Sequence, residues 1–264
     1  MNVTDIIEAI ENVAPLEWQE DYDNAGLQVG DCRQPVDAVL VCLDVTEDVL
    51  AEAARKGCNL IVSHHPLIFS ALRQVAGQTF QQRCVEKAIK NDIAIYCAHT
   101  NLDNAKGGVN FRMAQKMGLG SLRFLEPKLF EGCGSGLTGV LPEPMEETAF
   151  LEKLKSVFGV EDMHHNRLRG RVIEKVALCG GAGSFLIPVA MEAGADAFVT
   201  GEISYHTYFD ADGAYGGHGI LLAEMGHYES ERFTVDLLSD IVSNAFPHLR
   251  IEKTELVTNP VMHL

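Results

Sequence analysis

The chain has 264 residues, of which 47% are hydrophobic, so it can bury a large core as one domain or as two. Its 37 acidic and 21 basic side chains give a net charge of −16, which disfavours nucleic-acid binding through the overall field of the protein. The seven cysteines form no CxxC pair, and this odd number favours a reducing compartment over a disulfide framework. The sequence contains no apolar run of membrane-spanning length and does not begin with a secretory leader. We therefore expect a cytoplasmic protein with neither a membrane nor a nucleic acid as partner.

The first half of the chain predicts alternating helices and strands. The predicted helices carry apolar stripes, and the strands are short aliphatic runs suited to burial on both faces. A strand, a helix and a strand within about thirty residues form a βαβ unit, whose strands run parallel. In chain order we predict helix 4–13 capped by Thr4, a loop and strand over 22–30, strand 36–43, helix 47–56 between Thr46 and Gly57, strand 60–62, helix 78–90 and strand 93–98.

The second half predicts a further parallel series after a less regular stretch over residues 127–175. The predicted elements are a helix that follows residues 105–108, helix 146–158, strand 176–179, helix 184–193, strand 197–199, strand 219–223 and one long helix over 228–245. The fold class is α/β, with largely parallel or mixed sheets in two lobes. We place the first lobe at 1–126, joined by 227–264, and the second at 127–226. A metal site at the carboxyl ends of the strands, between the lobes, fits this arrangement.

Two adjacent histidines, His64 and His65, follow the predicted strand 60–62 and precede Pro66. A neutral imidazole nitrogen is a common ligand of first-row metals, and proline fixes the backbone just after the pair. Because neighbouring side chains on an extended backbone point to opposite sides, the pair suits two metal ions better than one shared ion. The alternative is a solvated turn with two incidental histidines.

Other histidines and carboxylates follow the remaining predicted strands. Ligands of parallel α/β sheets bind beyond the carboxyl ends of the strands, so these side chains are expected to converge. A mixed set of histidine and carboxylate donors favours Zn, Mn, Fe, Co or Ni over Ca or Mg. The side chains concerned are His99 and Asp103 after strand 93–98, Glu202, Tyr205 and His206 after strand 197–199, and Glu224 and His227 after strand 219–223.

The start of the last predicted helix strengthens the metal interpretation. His227 and Glu231 are four residues apart, so on a helix they differ by about 40° and share a face. That face is the apolar stripe that the helix buries, and a buried carboxylate must be paired or bind a metal. Glu229 points away and is interpreted as a solvent-facing group. The alternative for Glu231 is a first-turn glutamate stabilised by the helix dipole.

Two further motifs carry less weight. The glycine-rich residues 180–183 lie between a strand and a helix, where backbone N–H groups can bind phosphate. They do not match a known nucleotide-binding pattern, so close packing is the preferred explanation. The pair His164 and His165 lies in an irregular polar stretch and is interpreted as surface.

Taken together, the sequence resembles the type 2 homologues of GTP cyclohydrolase I, also called the NGG-interacting factor three-like proteins. The matching segments run in the order of the family over nearly the whole chain. They are residues 23–30 (DNAGLQVG), 63–69 (SHHPLIF), 99–103 (HTNLD), 200–202 (TGE) with Tyr205 and His206, and 226–231 (GHYESE).

This resemblance implies two divalent metal ions bound by five side chains, with His99 close by, in a ring-shaped homohexamer. The implied ligands are His64, His65, Asp103, His227 and Glu231. The family often has Trp where this chain has Tyr22, a difference that we expect to affect packing only.

The family name implies hydrolytic ring opening of GTP, and a dinuclear centre suits such chemistry through a metal-activated water. His99 or His206 would transfer the proton, since histidine titrates near neutral pH, and Glu202 and Tyr205 would contact a small-molecule substrate such as a nucleotide. No basic, aromatic pocket signature fixes that substrate as a purine nucleotide. The competing hypothesis is a non-catalytic, metal-binding oligomeric adaptor.

Overall fold

The computed structural model describes residues 1–211 and 219–262. Contacts within the chain divide it into two compact units, one formed by Met1–Leu102 with Phe233–Met262 and the other by Asp103–Arg232. This division falls earlier in the chain than the predicted change at residue 126, which lies inside a strand of the second unit.

Helices and strands alternate along most of the chain, and the predicted α/β class is confirmed. The strands are β1 Gly26–Val29, β2 Ala38–Cys42, β3 Leu60–Ser63, β4 Ala94–Cys97, β5 Gly120–Pro127, β6 Gly134–Glu146, β7 His164–His165, β8 Val172–Cys179, β9 Ala197–Thr200, β10 Leu221–Glu224 and β11 Arg250–Lys253. The helices are α1 Val3–Glu11, α2 Glu47–Lys56, α3 Phe80–Lys90, α4 Thr100–Asp103, α5 Val109–Met117, α6 Glu147–Phe158, α7 Ile187–Glu192, α8 Thr207–Ala211, α9 His227–Glu231 and α10 Thr234–Ala245.

The first unit is built on a five-stranded sheet with the order β1-β4-β3-β2-β11. Strands β4, β3, β2 and β11 run parallel, and β1 pairs with β4 in the antiparallel sense. Every residue of β2, β3 and β4 is buried, as expected for parallel strands covered on both faces. The parallel register brings the ends of β2, β3 and β4 to one edge of the sheet, where the polar side chains of this unit begin.

Local capping explains where the helices of the first unit start. The N-cap of α1 is Asn2, which exchanges hydrogen bonds with Asp5 in a capping box, so the prediction that Thr4 caps this helix is wrong. Helix α2 follows its prediction, since Thr46 caps its start and Gly57 ends it in the left-handed conformation.

The second unit contains a six-stranded mixed sheet with the order β5-β6-β8-β9-β10-β7. Strands β8, β9 and β10 form the predicted parallel series. Strands β5 and β6 add antiparallel pairs that the glycine- and proline-rich sequence did not predict. The fully buried hydrophobic residues of β8, β9 and β10 form the centre of this unit's core.

The predicted long helix over 228–245 is two helices. Helix α9 ends at Glu231, and α10 starts at Thr234 after a break at Arg232 and Phe233. The predicted buried stripe continues across this break, since Glu231, Thr234 and Leu238 are buried, but it ends before Ala245, which is exposed.

Within the described ranges, no helix is both long enough and apolar enough to cross a membrane. Six of the seven cysteines are buried and Cys32 is exposed.

Gly30 makes the close approach of β1 to its neighbour possible, and Gly30→Ala should destabilise the first unit. At φ +107° an added Cβ would lie 2.7 Å from Cβ and 2.9 Å from Cα of Ala94. We expect a loss of about 3 kcal/mol in the free energy of unfolding, from backbone strain and overpacking together. Urea denaturation measures this loss.

Gly57→Ala is the matched control. Gly57 also has positive φ (+63°), but an added Cβ would meet its nearest neighbour at 3.5 Å. It should lose only about 1 kcal/mol, the cost of the left-handed conformation. Equal losses for the two variants would contradict the packing argument.

Candidate metal centre

His64 and His65 lie directly after β3, at the edge where the parallel strands end. Their backbone N–H groups donate to the carbonyls of Cys42 and Leu43, at 3.3 and 3.0 Å, which fixes them against the end of β2. Both residues lie in a bend, and the centroids of their rings are 5.0 Å apart. The prediction that they point to opposite sides is therefore wrong, because the strand ends at Ser63.

An oxygen acceptor holds the Nδ1 atom of each of these histidines. Nδ1 of His64 lies 2.8 Å from the carbonyl oxygen of Ala98, and Nδ1 of His65 lies 2.6 Å from Oδ1 of Asp44. An acceptor at Nδ1 favours the tautomer with the proton on Nδ1, which directs the Nε2 lone pair toward a ligand. This is the usual arrangement of metal-binding histidines.

Asp44, which contacts His65, is a residue of the candidate site that the sequence analysis missed. It follows β2, the strand next to β3, and the parallel register places the two strand ends side by side. Burial alone would raise the pKa of its carboxyl, but the hydrogen bond and charge of His65 lower that pKa, with help from Thr258. Its position after a neighbouring strand was the signal that could have identified it.

His99 is a third histidine of the first unit and lies close to the other two. Its ring centroid lies 5.4 Å from that of His64 and 5.7 Å from that of His65. Nδ1 of His99 lies 2.8 Å from Oδ1 of Asp23, a carboxylate that also accepts bonds from the backbone and hydroxyl of Thr100. Burial would raise the pKa of Asp23, but the hydrogen bond and charge of His99, assisted by Thr100, lower it to about 2. Asp23 therefore stays ionised and fixes the direction of the His99 ring.

Two exposed aromatic side chains contact each other, and one of them also contacts His99. Tyr22 is 63% exposed and Phe69 is 50% exposed, with ring centroids 6.4 Å apart. The ring of Phe69 also contacts His99 edge-on at 6.4 Å. The expectation that Tyr22 matters only for packing is not supported, because most of its side chain faces solvent.

Side-chain hydrogen bonds fasten the loops that carry these aromatic rings. Nδ2 of Asn24 donates to the carbonyl of Ile68 at 2.6 Å, and the Ile68 N–H donates to Oε1 of Gln28 at 3.0 Å. Both polar side chains belong to the segment 23–30, so this segment positions Phe69.

In the second unit, His227 and Glu231 lie on the one-turn helix α9. Their i,i+4 spacing brings Nε2 of His227 within 3.1 Å of Oε2 of Glu231, and Glu231 is buried. Nδ1 of His227 lies 2.9 Å from Oε1 of Glu202, so this histidine is held in the same way as those of the first unit. Glu202, the predicted substrate-binding residue, is the partner that orients His227.

Glycines of the loop 180–183 make room for the Glu231 carboxylate. A Cβ on Gly181, which has φ +59°, would lie 2.5 Å from Oε1 of Glu231. The backbone N–H groups of Gly180, Gly181 and Gly183 donate to side-chain oxygens of the same unit. The loop is thus used for close packing, as the sequence analysis preferred, and these three groups do not form an open phosphate cradle.

The buried side chain of Asn110 holds the backbone of Asp103 in place. Nδ2 of Asn110 donates to the carbonyl of Asp103 at 3.0 Å, and its Oδ1 accepts from the N–H of Gly180 at 2.9 Å. Asn110 therefore ties the Asp103 backbone to the loop that seats Glu231. The side-chain atom Oδ1 of Asp103 is buried.

The five predicted ligands are divided between the two units. His64 and His65 belong to the first unit, with ring centroids 5.0 Å apart, and could each offer a nitrogen to a metal ion. Asp103, His227 and Glu231 belong to the second, where His227 and Glu231 are paired on α9.

The predicted residues Tyr205 and His206 lie on the surface. Tyr205 is 72% exposed, and its ring contacts those of His206 and Phe209, with centroids 5.4 and 5.5 Å away. Their predicted roles in substrate binding and proton transfer stay predictions.

Comparison with known proteins identifies the family. The model of the family Duf34/NIF3 (NGG1p interacting factor 3) matches residues 1–260. The chain belongs to this family. The resemblance found in the sequence is therefore confirmed.

Relatives of known name and structure are similar over most of their length. The GTP cyclohydrolase 1 type 2 homolog of Clostridium perfringens is 34% identical over 232 residues, which are 88% of this chain and 87% of that protein. NIF3-like protein 1 of Drosophila melanogaster is 32% identical over 86% of this chain and 77% of that protein. The crystal structure of a Bacillus cereus protein related to NIF3 superposes with a TM-score of 0.90, at 26% identity, covering 100% of this chain and 99% of that one.

The close approach of Gly181 to the Glu231 carboxylate allows metal binding by this NIF3 family member to be tested without changing a predicted ligand. Gly181→Ala should weaken metal binding about tenfold or more, because the added methyl group displaces the Glu231 carboxylate, and changes around a ligand typically cost 10- to 100-fold in affinity. Competition with a chromogenic chelator measures the affinity.

The matched control is Gly194→Ala. Gly194 has φ +70° and lies in the same unit, but an added Cβ would meet no atom within 4 Å. Gly194→Ala should lose the same free energy of unfolding, because alanine is strained at positive φ, but it should bind metal with the affinity of the wild type. Equal weakening in both variants would show that strain, and not the seat of Glu231, is responsible.

Proposed function

We propose that this chain is a hydrolase that depends on two divalent metal ions and acts on GTP or a related heterocycle. The observation that carries the proposal is the pair His64 and His65 at the end of β3, in which both histidines have Nδ1 held by an oxygen. Histidines that bind a metal almost always donate their other ring N–H to a carboxylate or a carbonyl, and both histidines have such an acceptor.

The donor set fits first-row metals. His64, His65, His227, Asp103 and Glu231 would hold the two ions, and this mixture of nitrogen and carboxylate donors suits Zn, Fe, Mn, Co or Ni. When bound, such ions lower the pKa of a water molecule and polarise the bond under attack. The family name of the relatives supports a hydrolytic reaction and supplies GTP as the first substrate to test.

His99 is the side chain of the first unit best suited to move a proton. Asp23 holds its Nδ1, so Nε2 is the atom that would accept or donate, and the ring lies against those of His64 and His65. The ionised Asp23 would stabilise the imidazolium form once His99 has taken a proton. His206 remains the alternative proton carrier.

The exposed rings of Tyr22 and Phe69 support a planar substrate. Stacking on aromatic side chains recognises any base or fused heterocycle through its flat face, at about 1–3 kcal/mol per base. Since Phe69 also contacts His99, a ring stacked there would lie close to the proposed proton carrier.

Metal analysis of purified variants tests the centre itself. His64→Ala and Glu231→Ala should each lose at least one equivalent of bound metal, because each removes a proposed ligand. Elemental analysis by mass spectrometry measures the stoichiometry. His248→Ala, which changes an exposed histidine, should retain the wild-type content. Full retention of metal in both ligand variants would refute the assignment.

An activity screen of the metal-reconstituted protein tests the reaction. We expect GTP or a related nucleotide to be hydrolysed by the wild type, and the rate to fall by about 10³-fold or more in His64→Ala, because metal ions contribute several kcal/mol to the barrier. If the metal-loaded protein leaves GTP and a broad panel of nucleotides and phosphoesters unchanged, the adaptor hypothesis replaces the hydrolase.

Phe69→Ala tests the stacking role. Loss of one aromatic platform should raise KM by about tenfold with little change in kcat, since stacking is worth about 1–3 kcal/mol per base. Phe80→Ala, which truncates a phenylalanine of similar exposure at the start of α3, is the control and should leave KM unchanged. An unchanged KM in Phe69→Ala would remove the ring from substrate recognition.

The homohexameric ring implied by the resemblance is part of this proposal. Analytical ultracentrifugation of the metal-loaded protein would measure the number of subunits directly.

A further inference from the structure

We infer that Thr258 is a positioning residue for the metal centre, acting through Asp44 on His65. The inference rests on the proposed metal-binding role of His65. It concerns a residue that lies 193 positions further along the chain, in a segment without helix or strand.

The first step is the chain of hydrogen bonds. The hydroxyl of Thr258 donates to Oδ2 of Asp44 at 2.6 Å, and Oδ1 of the same carboxylate lies 2.6 Å from Nδ1 of His65. The two oxygens of Asp44 are thus used by different partners. A carboxylate held at both oxygens cannot rotate about its terminal torsion, so Thr258 fixes the direction in which Asp44 meets the imidazole.

The second step is the attachment of the segment that carries Thr258. The backbone N–H of Thr254 donates to the carbonyl of Val41, at the end of β2, at 2.9 Å. The Thr254 hydroxyl and the Glu255 N–H donate to the carboxylate of Glu52 at 2.6 and 3.0 Å. Residues 254–258 are therefore anchored to the same strand end that leads into Asp44.

The third step is the burial of that anchor. Glu52 is 3% exposed on α2 and receives an ion pair from Lys56 at 2.8 Å. A buried carboxylate persists only when its oxygens are satisfied, and here the segment 254–258 supplies two of the donors. The segment is a fixed part of the first unit, so its Thr258 hydroxyl is presented to Asp44 in one position.

The experiment compares two substitutions at Thr258. Thr258→Val keeps the volume of the side chain but removes the donor, whereas Thr258→Ser keeps the hydroxyl. Removing a direct partner of a metal-bound histidine costs about 10- to 100-fold in affinity, and Thr258 acts one bond further out. We therefore expect Thr258→Val to weaken Zn²⁺ or Co²⁺ binding by about fivefold, measured by chelator competition, and Thr258→Ser to restore wild-type binding.

A double-mutant cycle separates the relay from a general loss of stability. In an Asp44→Asn background the Thr258→Val change should have no further effect on metal affinity, because the carboxylate that it acts through is gone. Urea denaturation confirms that each variant folds. Equal weakening by Thr258→Val in both backgrounds would overturn the inference.

A readout on metal-free protein keeps the inference testable if the proposed function fails. In protein labelled with ¹⁵N histidine, the His65 Nδ1 resonance should report a protonated nitrogen in the wild type and in Thr258→Ser. In Thr258→Val the His65 Nδ1 resonance should shift toward that of a histidine that exchanges between its two neutral tautomers. An unchanged His65 resonance in Thr258→Val overturns the inference. A wild type that binds no metal but shows this shift refutes only the proposed function.

Discussion

The hydrogen bond at Nδ1 is the constraint on which the candidate centre depends. A neutral imidazole has one donor and one acceptor nitrogen, and the choice between them decides whether the free lone pair points toward a metal or away from it. His64, His65, His99 and His227 each have Nδ1 beside an oxygen, contributed by Ala98, Asp44, Asp23 and Glu202 respectively. One of these acceptors is a backbone carbonyl and three are carboxylates, so the common feature is the position of the oxygen and not its chemical type.

The fold brings the residues of the candidate site together in two different ways. In the first unit the parallel strands β2, β3 and β4 end at one edge, and the residues that follow each strand become neighbours although they are far apart in sequence. In the second unit His227 and Glu231 meet within a single helical turn, and the loop at Gly181 leaves space for the carboxylate. Long-range register places the proposed ligands His64 and His65, and local helical geometry places the proposed ligands His227 and Glu231.

The sequence predicted the parts of the site whose geometry is local. The helical spacing of His227 and Glu231 and the position of His64 and His65 after a buried strand follow from short-range rules, and both were found. Asp44 and Asp23 were missed, because their roles depend on which strands are adjacent and on where a loop folds back. These facts are set by tertiary packing and are not visible in a short window of sequence.

The same division explains the errors in the fold. The parallel strands β2, β3, β4, β8, β9 and β10 contain aliphatic runs, and their positions were predicted within a few residues. The parallel edge strand β11 was missed, because its sequence at Arg250–Lys253 is mostly charged. The antiparallel strand β6 was missed, since its residues 134–146 contain three glycines and two prolines and only pairing with β5 and β8 holds them extended. The break between α9 and α10 was missed for a similar reason. The hydrophobic stripe continues across Arg232 and Phe233, so the periodicity alone gives no signal that the helix ends there.

Exposure separates the histidines of the first unit's candidate site from those on the surface, while His227 is intermediate. His64 is fully buried and His65 and His99 are mostly buried, whereas His164 and His206 lie on the surface. Burial of an imidazole is costly unless both nitrogens are used, so a buried histidine with an oxygen at Nδ1 requires a second partner at Nε2. The proposed metal ions would be such partners for His64 and His65. An exposed histidine such as His206 can leave its second nitrogen to water, and its position therefore gives no comparable argument for a ligand.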